Sequence, residues 1–397
     1  MGIRVVVVDD NPHVRWEGRV YPVNATFHRF LAAVLDVPGA PISSITHCVP
    51  LRDARIEPAT LPLDERLEVV ATAPFDGIAG YLRHAPRLIR ANRRVLAPAI
   101  AAADVAWIKV PASNAPLAGW LARRSATPRL GYVAGSALAV ARARRLGLRA
   151  QVVGVAYDVA GRLAAGSDRV VVGRGIADAT GIVTSLVEAS EIRDVSGAPW
   201  PSIPWRLRLS WAGRLAPGKG VETLIDALAL TVRGEVEGHR TELVVIGDGP
   251  ARRTLEARAV RAGIGDRIHW LGYIADRGVY LDALAATDLF VFPSPAEGFP
   301  KVVLDAMAAG LPVVAASTGT IRELRRQVEL VPPADPAALA GTIRALLNEP
   351  SRAIALRAAG RELVRAHTRE TEAARVAARL VAAADVRNPH SDGVALR

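Results

Sequence analysis

The sequence predicts an α/β fold of two doubly wound, Rossmann-like domains facing each other across a cleft. Three observations predict it. Short continuous apolar runs alternate with helically spaced patterns through both halves of the 397 residues, as expected of parallel strands covered on both faces. The stretch 198-APWPSIPWR-206 interrupts that alternation with three prolines, which neither a helix interior nor a central strand accommodates. Glycine-bearing loops follow several strand-like runs, at the strand ends where such sheets bind ligands.

In the first half, strands are expected at 3–9, 43–48, 67–71, 104–110, 129–133 and 168–172. Helices are expected at 24–36, 77–98, 114–124 and 135–147. Asn24 is a suitable cap for the first helix, and Phe27, Phe30 and Leu31 follow at helical spacing. In the second half, strands are expected at 207–212, 242–246, 267–271, 288–292, 311–316 and 328–331. Helices are expected at 221–232, 251–262, 278–286, 300–309 and 335–347, with two Ala/Arg-rich helices near 351–366 and 369–385. The resulting organisation is a domain at 1–198, a linker at 199–206 and a second domain at 207–366. A C-terminal helix at 367–386, expected to return to the first domain, precedes a tail at 387–397.

Composition narrows the class. Half of the residues are hydrophobic, so a sizeable core is available. The single Cys48 excludes a disulfide framework and a Cys-based zinc site. The eight histidines show no paired ligand spacing, so no metal is expected. The start MGIRVVVVDD lacks the parts of a signal peptide, and no apolar run reaches the ~20 residues that span a bilayer. A cytoplasmic protein is expected. The net charge is +11, and residues 77–149 hold thirteen Lys/Arg against one acid, Asp104. Such a segment points to an anionic partner: a membrane surface, a lipid phosphate or nucleic acid. There are 47 arginines and only three lysines, Lys109, Lys219 and Lys301. Where Arg is the default, a lysine marks places that suit a compact ammonium.

Four loops carry the chemistry. In 211-WAGRLAPGKGVETLIDAL-228 a glycine-rich turn opens a helix, and Gly213, Arg214 and Lys219 suit a phosphate or diphosphate at its amino end. It nearly matches a P-loop, but Gly220 replaces the Ser/Thr that would hold magnesium. The turn 247-GDGP-250 is a partial dinucleotide fingerprint, lacking its third glycine. Leu271 and Gly272 end a strand where a flat ligand can approach. In 293-PSPAEGFPKVVLD-305, Gly298 permits close approach, Pro300 suits a first helical turn, and Lys301 and Asp305 share a helix face. Glu297 lies before helix amides that favour phosphate. A carboxylate there is best matched by sugar hydroxyls, and Asp305 by a ribose. On the first domain, Asp9, Asp10 and His13 follow the first strand, and Gly18, Arg19 and Lys109 are acceptor-side candidates.

Together 213-GRLAPGKG-220, 247-GDGP-250, 271-LGY-273, 288-DLFVFPSPAEGFPKVVLDAMAAGLPVVA-315 and 331-VPPADPAALA-340 resemble the retaining glycosyltransferases of family 4, glycosyl transferases group 1, which have the GT-B fold. The resemblance covers about 207–366, and the N-terminal half more weakly. It implies an acceptor-binding first domain and a nucleotide-sugar-binding second domain. It implies that Arg214 and Lys219 bind the donor diphosphate and Glu297 the sugar hydroxyls. Phe299, Pro300 and Lys301 would contact phosphate and sugar through their backbones, and Leu271–Gly272 would lie by the nucleobase. Asp305 would hold the ribose, although the family usually has Glu there. The family's Gly-Gly-x-x-Glu segment stands as 318-TGTIRE-323, keeping Gly319 and Glu323.

The activity implied is metal-independent, hexosyltransferase-type sugar transfer with retention, from a nucleotide diphosphate sugar to a saccharide, lipid-linked or small-molecule acceptor. Catalytic weight would fall on Arg214, Lys219 and Glu297. No cofactor beyond the donor is implied. The basic 77–149 segment would place the protein at the inner face of a membrane. Two other readings are a GT-B sugar-nucleotide epimerase and a non-catalytic nucleic-acid-binding protein. Against the latter, no nucleic-acid motif appears and the basic segment lacks interleaved aromatics.

Overall fold

A computed structural model describes all residues except 1, 24, 56–61, 144–145, 179–180, 236–237 and 386–397. The expected Asn24 cap and the C-terminal tail therefore lie outside the described residues. The chain divides into two compact units. One comprises Met1–Ala141, Leu146–Val172 and Arg369–Arg397; the other comprises Gly173–Thr368 and Arg142–Arg145.

The first unit contains β1 (Ile3–Val8), β2 (His13–Trp16), β3 (Arg19–Pro22), α1 (Ala25–Leu35), β4 (Ile42–Asp53), β5 (Leu67–Thr72), α2 (Gly77–Arg83) and α3 (Ala85–Ala102). There follow β6 (Val105–Val110), α4 (Ala115–Arg124), β7 (Arg129–Val133), α5 (Ala137–Ala143), α6 (Leu148–Ala165) and β8 (Arg169–Val171). The sheet runs β3-β2-β4-β1-β6-β7-β8, with β5 also paired to β4. Its central pairings are parallel, and the order reverses between β1 and β6. The alternating buried valines of β1 and the Ala106/Ile108 side of β6 meet Leu96 and Ile100 of α3 in one core.

Three differences from the sequence reading have local causes. Residues 77–98 form two helices, broken at His84 with Pro86 opening the second. Residues 13–22 add a hairpin, β2–β3, whose turn places Glu17 and Gly18 at positive φ. The long helix α6 had no expected counterpart. Its inward face is Gly154, Gly161, Ala164 and Ala165, with its larger aliphatics outside, so hydrophobic spacing pointed away from the core. A Cβ on Gly119 of α4 would lie 2.7 Å from the Cα of Ala164, which shows how closely the two helices pack.

The second unit contains β9 (Arg206–Ala212), α7 (Val221–Arg233), β10 (Arg240–Ile246), α8 (Arg252–Arg261), β11 (Ile268–Gly272), α9 (Arg277–Ala285) and β12 (Leu289–Phe292). It continues with α10 (Lys301–Ala308), β13 (Val313–Ala316), β14 (Glu329–Val331), α11 (Pro336–Asn348) and α12 (Pro350–Ala366). Helix α13 (Arg369–Asp385) belongs to the first unit and packs on α1 there. The second sheet is ordered β11-β10-β9-β12-β13-β14, and every pairing is parallel. That is the doubly wound order, with its reversal between β9 and β12.

The proline-rich stretch 198–206 is not the boundary. The units part between Val172 and Gly173. Trp200 is buried in the second core, and its indole N–H donates to the Asp288 carbonyl at 2.6 Å. Ser202 donates to the Asp288 carboxylate through both its amide (2.9 Å) and its hydroxyl (2.6 Å). Prolines ended the regular structure, but tryptophan burial docked the segment. Among the described residues, no helix is long and apolar enough to cross a membrane.

Candidate functional site

The reversal of strand order in the second sheet makes the loops after β9 and β12 neighbours. Gly220 allows their approach. Its φ is +74°, and a Cβ there would sit 2.3 Å from the Pro293 carbonyl oxygen. Gly220 caps α7, so the free amides of that helix begin beside the β12 loop. Across this contact the Lys219 ammonium ion-pairs with the Glu297 carboxylate, and both side chains are partly exposed. Arg214 is exposed on the same loop, and no ion pair to it is found among the described residues.

The β12 loop is held from the other side by the segment after β13. The Thr318 hydroxyl donates to the Ser294 carbonyl at 3.2 Å, and the Thr320 hydroxyl to the Gly298 carbonyl at 2.7 Å. Between them, a Cβ on Gly319 would lie 2.4 Å from the Glu297 carbonyl oxygen. Glu323 of the same segment accepts from the Gly175 amide at 2.6 Å. Phe299 is buried. Pro300 is the residue before α10 rather than its first turn, and Lys301 opens the helix.

The loops after β10 and β11 join the same edge of the sheet. The Gly213 amide donates to the Ile246 carbonyl (3.0 Å), the Leu215 amide to the Asp248 carbonyl (2.9 Å), and the Gly247 amide to the Gly272 carbonyl (2.7 Å). Leu271 is half exposed beside this junction. Gly213, Arg214, Lys219, Leu271, Gly272 and Glu297–Lys301 are thus brought to the carboxyl edge of one sheet.

Asp305 is placed differently from expectation. It is buried, and its carboxylate meets the Arg277 guanidinium at 2.9 Å and accepts from the Tyr280 hydroxyl at 3.2 Å. Arg277 in turn makes a two-pronged contact with Glu191, at 3.0 and 2.9 Å. Burial raises the Asp305 pKa, and Arg277 only partly offsets that. The Tyr280 hydroxyl is pushed well up by burial and by Asp305. Each Asp305 oxygen already holds one partner, Oδ1 the Arg277 guanidinium and Oδ2 the Tyr280 hydroxyl. Sequence reasoning missed Arg277, Tyr280 and Glu191. The i, i+3 spacing of Arg277 and Tyr280 was visible, but nothing local tied it to Asp305.

The acceptor-side candidates do not converge. Gly18 and Arg19 are exposed in the β2–β3 hairpin at the sheet edge, whereas Lys109 is in central β6. The Lys109 ammonium lies 3.1 Å from Asp9 and 4.2 Å from the Phe27 ring centre. Burial would raise the Asp9 pKa, but Lys109 and His47 outweigh it and hold the carboxyl well below the usual range. Asp10 accepts from the Ser113 amide, yet burial pushes it up to about 6. His13 packs edge-on to His47, with centroids 5.3 Å apart. Among the described residues, no group of three or more His, Cys, Asp and Glu is arranged to hold a metal ion.

The sequence model of the family "Glycosyl transferases group 1" matches residues 206–349. Residues 206–349 belong to glycosyl transferases group 1. This group 1 domain contains both members of the Lys219–Glu297 pair. A GDP-mannose-dependent alpha-(1-6)-phosphatidylinositol monomannoside mannosyltransferase of Mycobacterium tuberculosis is 35% identical over 179 residues, 41% of this chain and 44% of the relative. A 2-deoxystreptamine glucosyltransferase of Streptomyces kanamyceticus is 31% identical over 157 residues, 39% of this chain and 40% of the relative. The matches thus span less than half the length of these curated relatives. Among solved structures, sucrose-phosphate synthase from Thermosynechococcus elongatus aligns with a TM-score of 0.67 at 18% identity, covering 94% of this chain and 97% of that one. The Anabaena protein HepE, solved with UDP and glucose, gives 0.64 at 18% identity, covering 96% and 99%. The group 1 domain therefore sits in a chain of GT-B fold.

Proposed function

We propose that this protein is a retaining, metal-independent glycosyltransferase that moves a hexosyl group from a nucleotide diphosphate sugar to a polyhydroxylated acceptor. The observation that carries this reading is the Lys219–Glu297 pair at the switch point of the second sheet. In the absence of donor, each charge neutralises the other. A donor separates their tasks: Lys219 and Arg214 face the diphosphate, and Glu297 accepts from sugar hydroxyls. Backbone groups from Gly213 and Gly298 to Lys301 surround phosphate and sugar, and Leu271 and Gly272 flank the base. Asp305 reaches the ribose only through Arg277 and Tyr280.

In the reaction, the bond between the anomeric carbon and the diphosphate oxygen breaks. The acceptor oxygen bonds to the same face of that carbon, and its proton passes to the departing phosphate oxygen. Charge developing on the leaving group is stabilised by Arg214, Lys219 and the first amides of α7. These fixed cations take the place of a metal. The relatives named for phosphatidylinositol and 2-deoxystreptamine support an acceptor that is a saccharide, an inositol lipid or a small cyclitol, bound by the first unit. A lipid-linked acceptor would bring the basic 77–149 segment to the inner face of an anionic membrane.

The test is a panel of nucleotide sugars screened by thermal shift, followed by product analysis with inositol and saccharide acceptors in chelator. A donor that raises stability, and a product with the donor's anomeric configuration, support the reading. Near-wild-type transfer by both Arg214→Ala and Lys219→Ala overturns it.

A further inference from the structure

Helix α6 is inside out. Leu148 (76% exposed), Val152 (60%), Val155 (45%), Val159 (51%) and Leu163 (67%) recur at spacings of four and three along its solvent face. Scattered exposed aliphatics are ordinary, but a continuous stripe along eighteen residues is not. The helix adds little to the core, because its fully buried residues are glycine and alanine and its inward Tyr157 is only partly buried, against Ser113. At 100° per residue, exposed Arg149 and Arg162 fall on opposite margins of the stripe. The one acid of α6, Asp158, is turned away and occupied. It accepts from the Ser136 hydroxyl at 2.5 Å and from the Ala137 amide at 2.7 Å.

We propose that α6 docks in the plane of an anionic bilayer, with its aliphatic stripe among the acyl chains and its arginines at the lipid phosphates. An apolar face rimmed by cations has the charge pattern of an interfacial helix. Val159 and Leu163 line one surface depression together with Arg162 and Arg169, so a lipid phosphate there would meet two guanidiniums beside the stripe. The neighbouring helices agree in sign. α3 and α4 pack in the same series as α6, and Arg93 and Arg124 stand over the ring of half-exposed Trp120 at 5.4 and 5.2 Å. A second copy is the poorer occupant. Self-pairing of α6 would bring its arginines together with no exposed acid on either helix to meet them. The proposal deepens the membrane reading given above by naming the element that enters the lipid. It is independent of which sugar is transferred.

The experiment is flotation of the full chain, without nucleotide sugar, on vesicles of phosphatidylcholine alone or mixed with phosphatidylglycerol, at low and high salt. The wild type is expected to float with the anionic vesicles. The triple variant Val152→Ser, Val155→Ser, Val159→Ser should lose about tenfold or more of that partition while keeping its melting temperature and nucleotide affinity. Arg149→Glu with Arg162→Glu should lose it as well, mainly at low salt. Retained wild-type flotation by the serine variant overturns the proposal. So does failure of the wild type to bind, or a wild-type dimer on gel filtration that the serine variant abolishes. Reversing Arg90, Arg93 and Arg94 to Glu separates α6 docking from attraction by the basic segment alone. If those reversals abolish binding and the α6 variants do not, α6 is not the docking element. None of these outcomes bears on sugar transfer to a soluble acceptor.

Discussion

Lys219 and Glu297 lie 78 positions apart in the chain and form an ion pair at the carboxyl edge of one sheet. The first unit repeats the arrangement: Lys109 and Asp9, 100 positions apart, pair where that sheet reverses its strand order. Two of the three lysines thus stand at the two topological switch points. The difference is burial, since the first pair is partly open and the second is largely closed.

The two members of the open pair should separate in their effects. Lys219→Ala is expected to weaken nucleoside diphosphate binding and to cut kcat by about a hundredfold. Glu297→Gln should leave that binding unchanged or tighter, because Lys219 is released to the phosphates, yet still abolish most turnover. Calorimetric affinities set beside steady-state rates check this. Equal loss of diphosphate affinity in both variants would count against separate roles.

Asp305 should behave as the anchor of Arg277. Asp305→Ala leaves a largely buried guanidinium with Glu191 alone, at a cost of about 3 kcal/mol. Asp305→Glu inserts a methylene into a packed site, costing about 1–3 kcal/mol. Urea unfolding measures both. A tenfold gain in nucleotide affinity for Asp305→Glu would show instead that the carboxylate reaches the ribose directly.

Lys109 should matter to stability before catalysis. Lys109→Ala strands a buried Asp9 carboxylate, at a cost of about 3 kcal/mol. Adding Asp9→Asn should recover part of that loss, which a double-mutant cycle by thermal or urea unfolding would register. Additive losses would mean that the two groups are not coupled.

The first unit should lose stability as the medium is acidified. Burial, with neighbouring cations, lowers both His13 and His28 to about 4. Their neutral forms therefore contribute stability that is present above the unfolded value of 6.5 and lost as pH falls toward about 4. Asp10, raised to about 6 by burial, works in the opposite direction. Two protons taken up by the unfolded chain against one by the folded chain leave a net slope of about 1.4 kcal/mol per pH unit. His28→Gln should flatten it. Urea midpoints from about pH 4 to 6.5 give the slope directly, and an unchanged slope in the variant would remove His28 from the account.

The group 1 match favours transfer over both the epimerase and the nucleic-acid readings, and it falls on the half of the chain whose loops were most legible. The reason is physical. Runs such as 242–246 and 288–292 are apolar throughout because both faces of a parallel strand are covered. Gly220 records a backbone that must pass close to another loop, and the glycines at 213 and 218 a backbone at positive φ. The first half was harder to read where local pattern and burial disagree. α6 hides its glycines and shows its valines, so periodicity gave no inward face to follow.

By itself, the sequence determined the alternation of strand and helix, the α/β class of both halves and the loops that carry charge at strand ends. All of these are local properties of spacing and residue type. Only the tertiary structure decided which charges meet. Lys219 finds Glu297 because the sheet places β12 beside β9. Asp305 is claimed by Arg277 because α9 packs on α10. Strand order and helix packing are set by the burial of whole faces against one another, and no short stretch of chain encodes them.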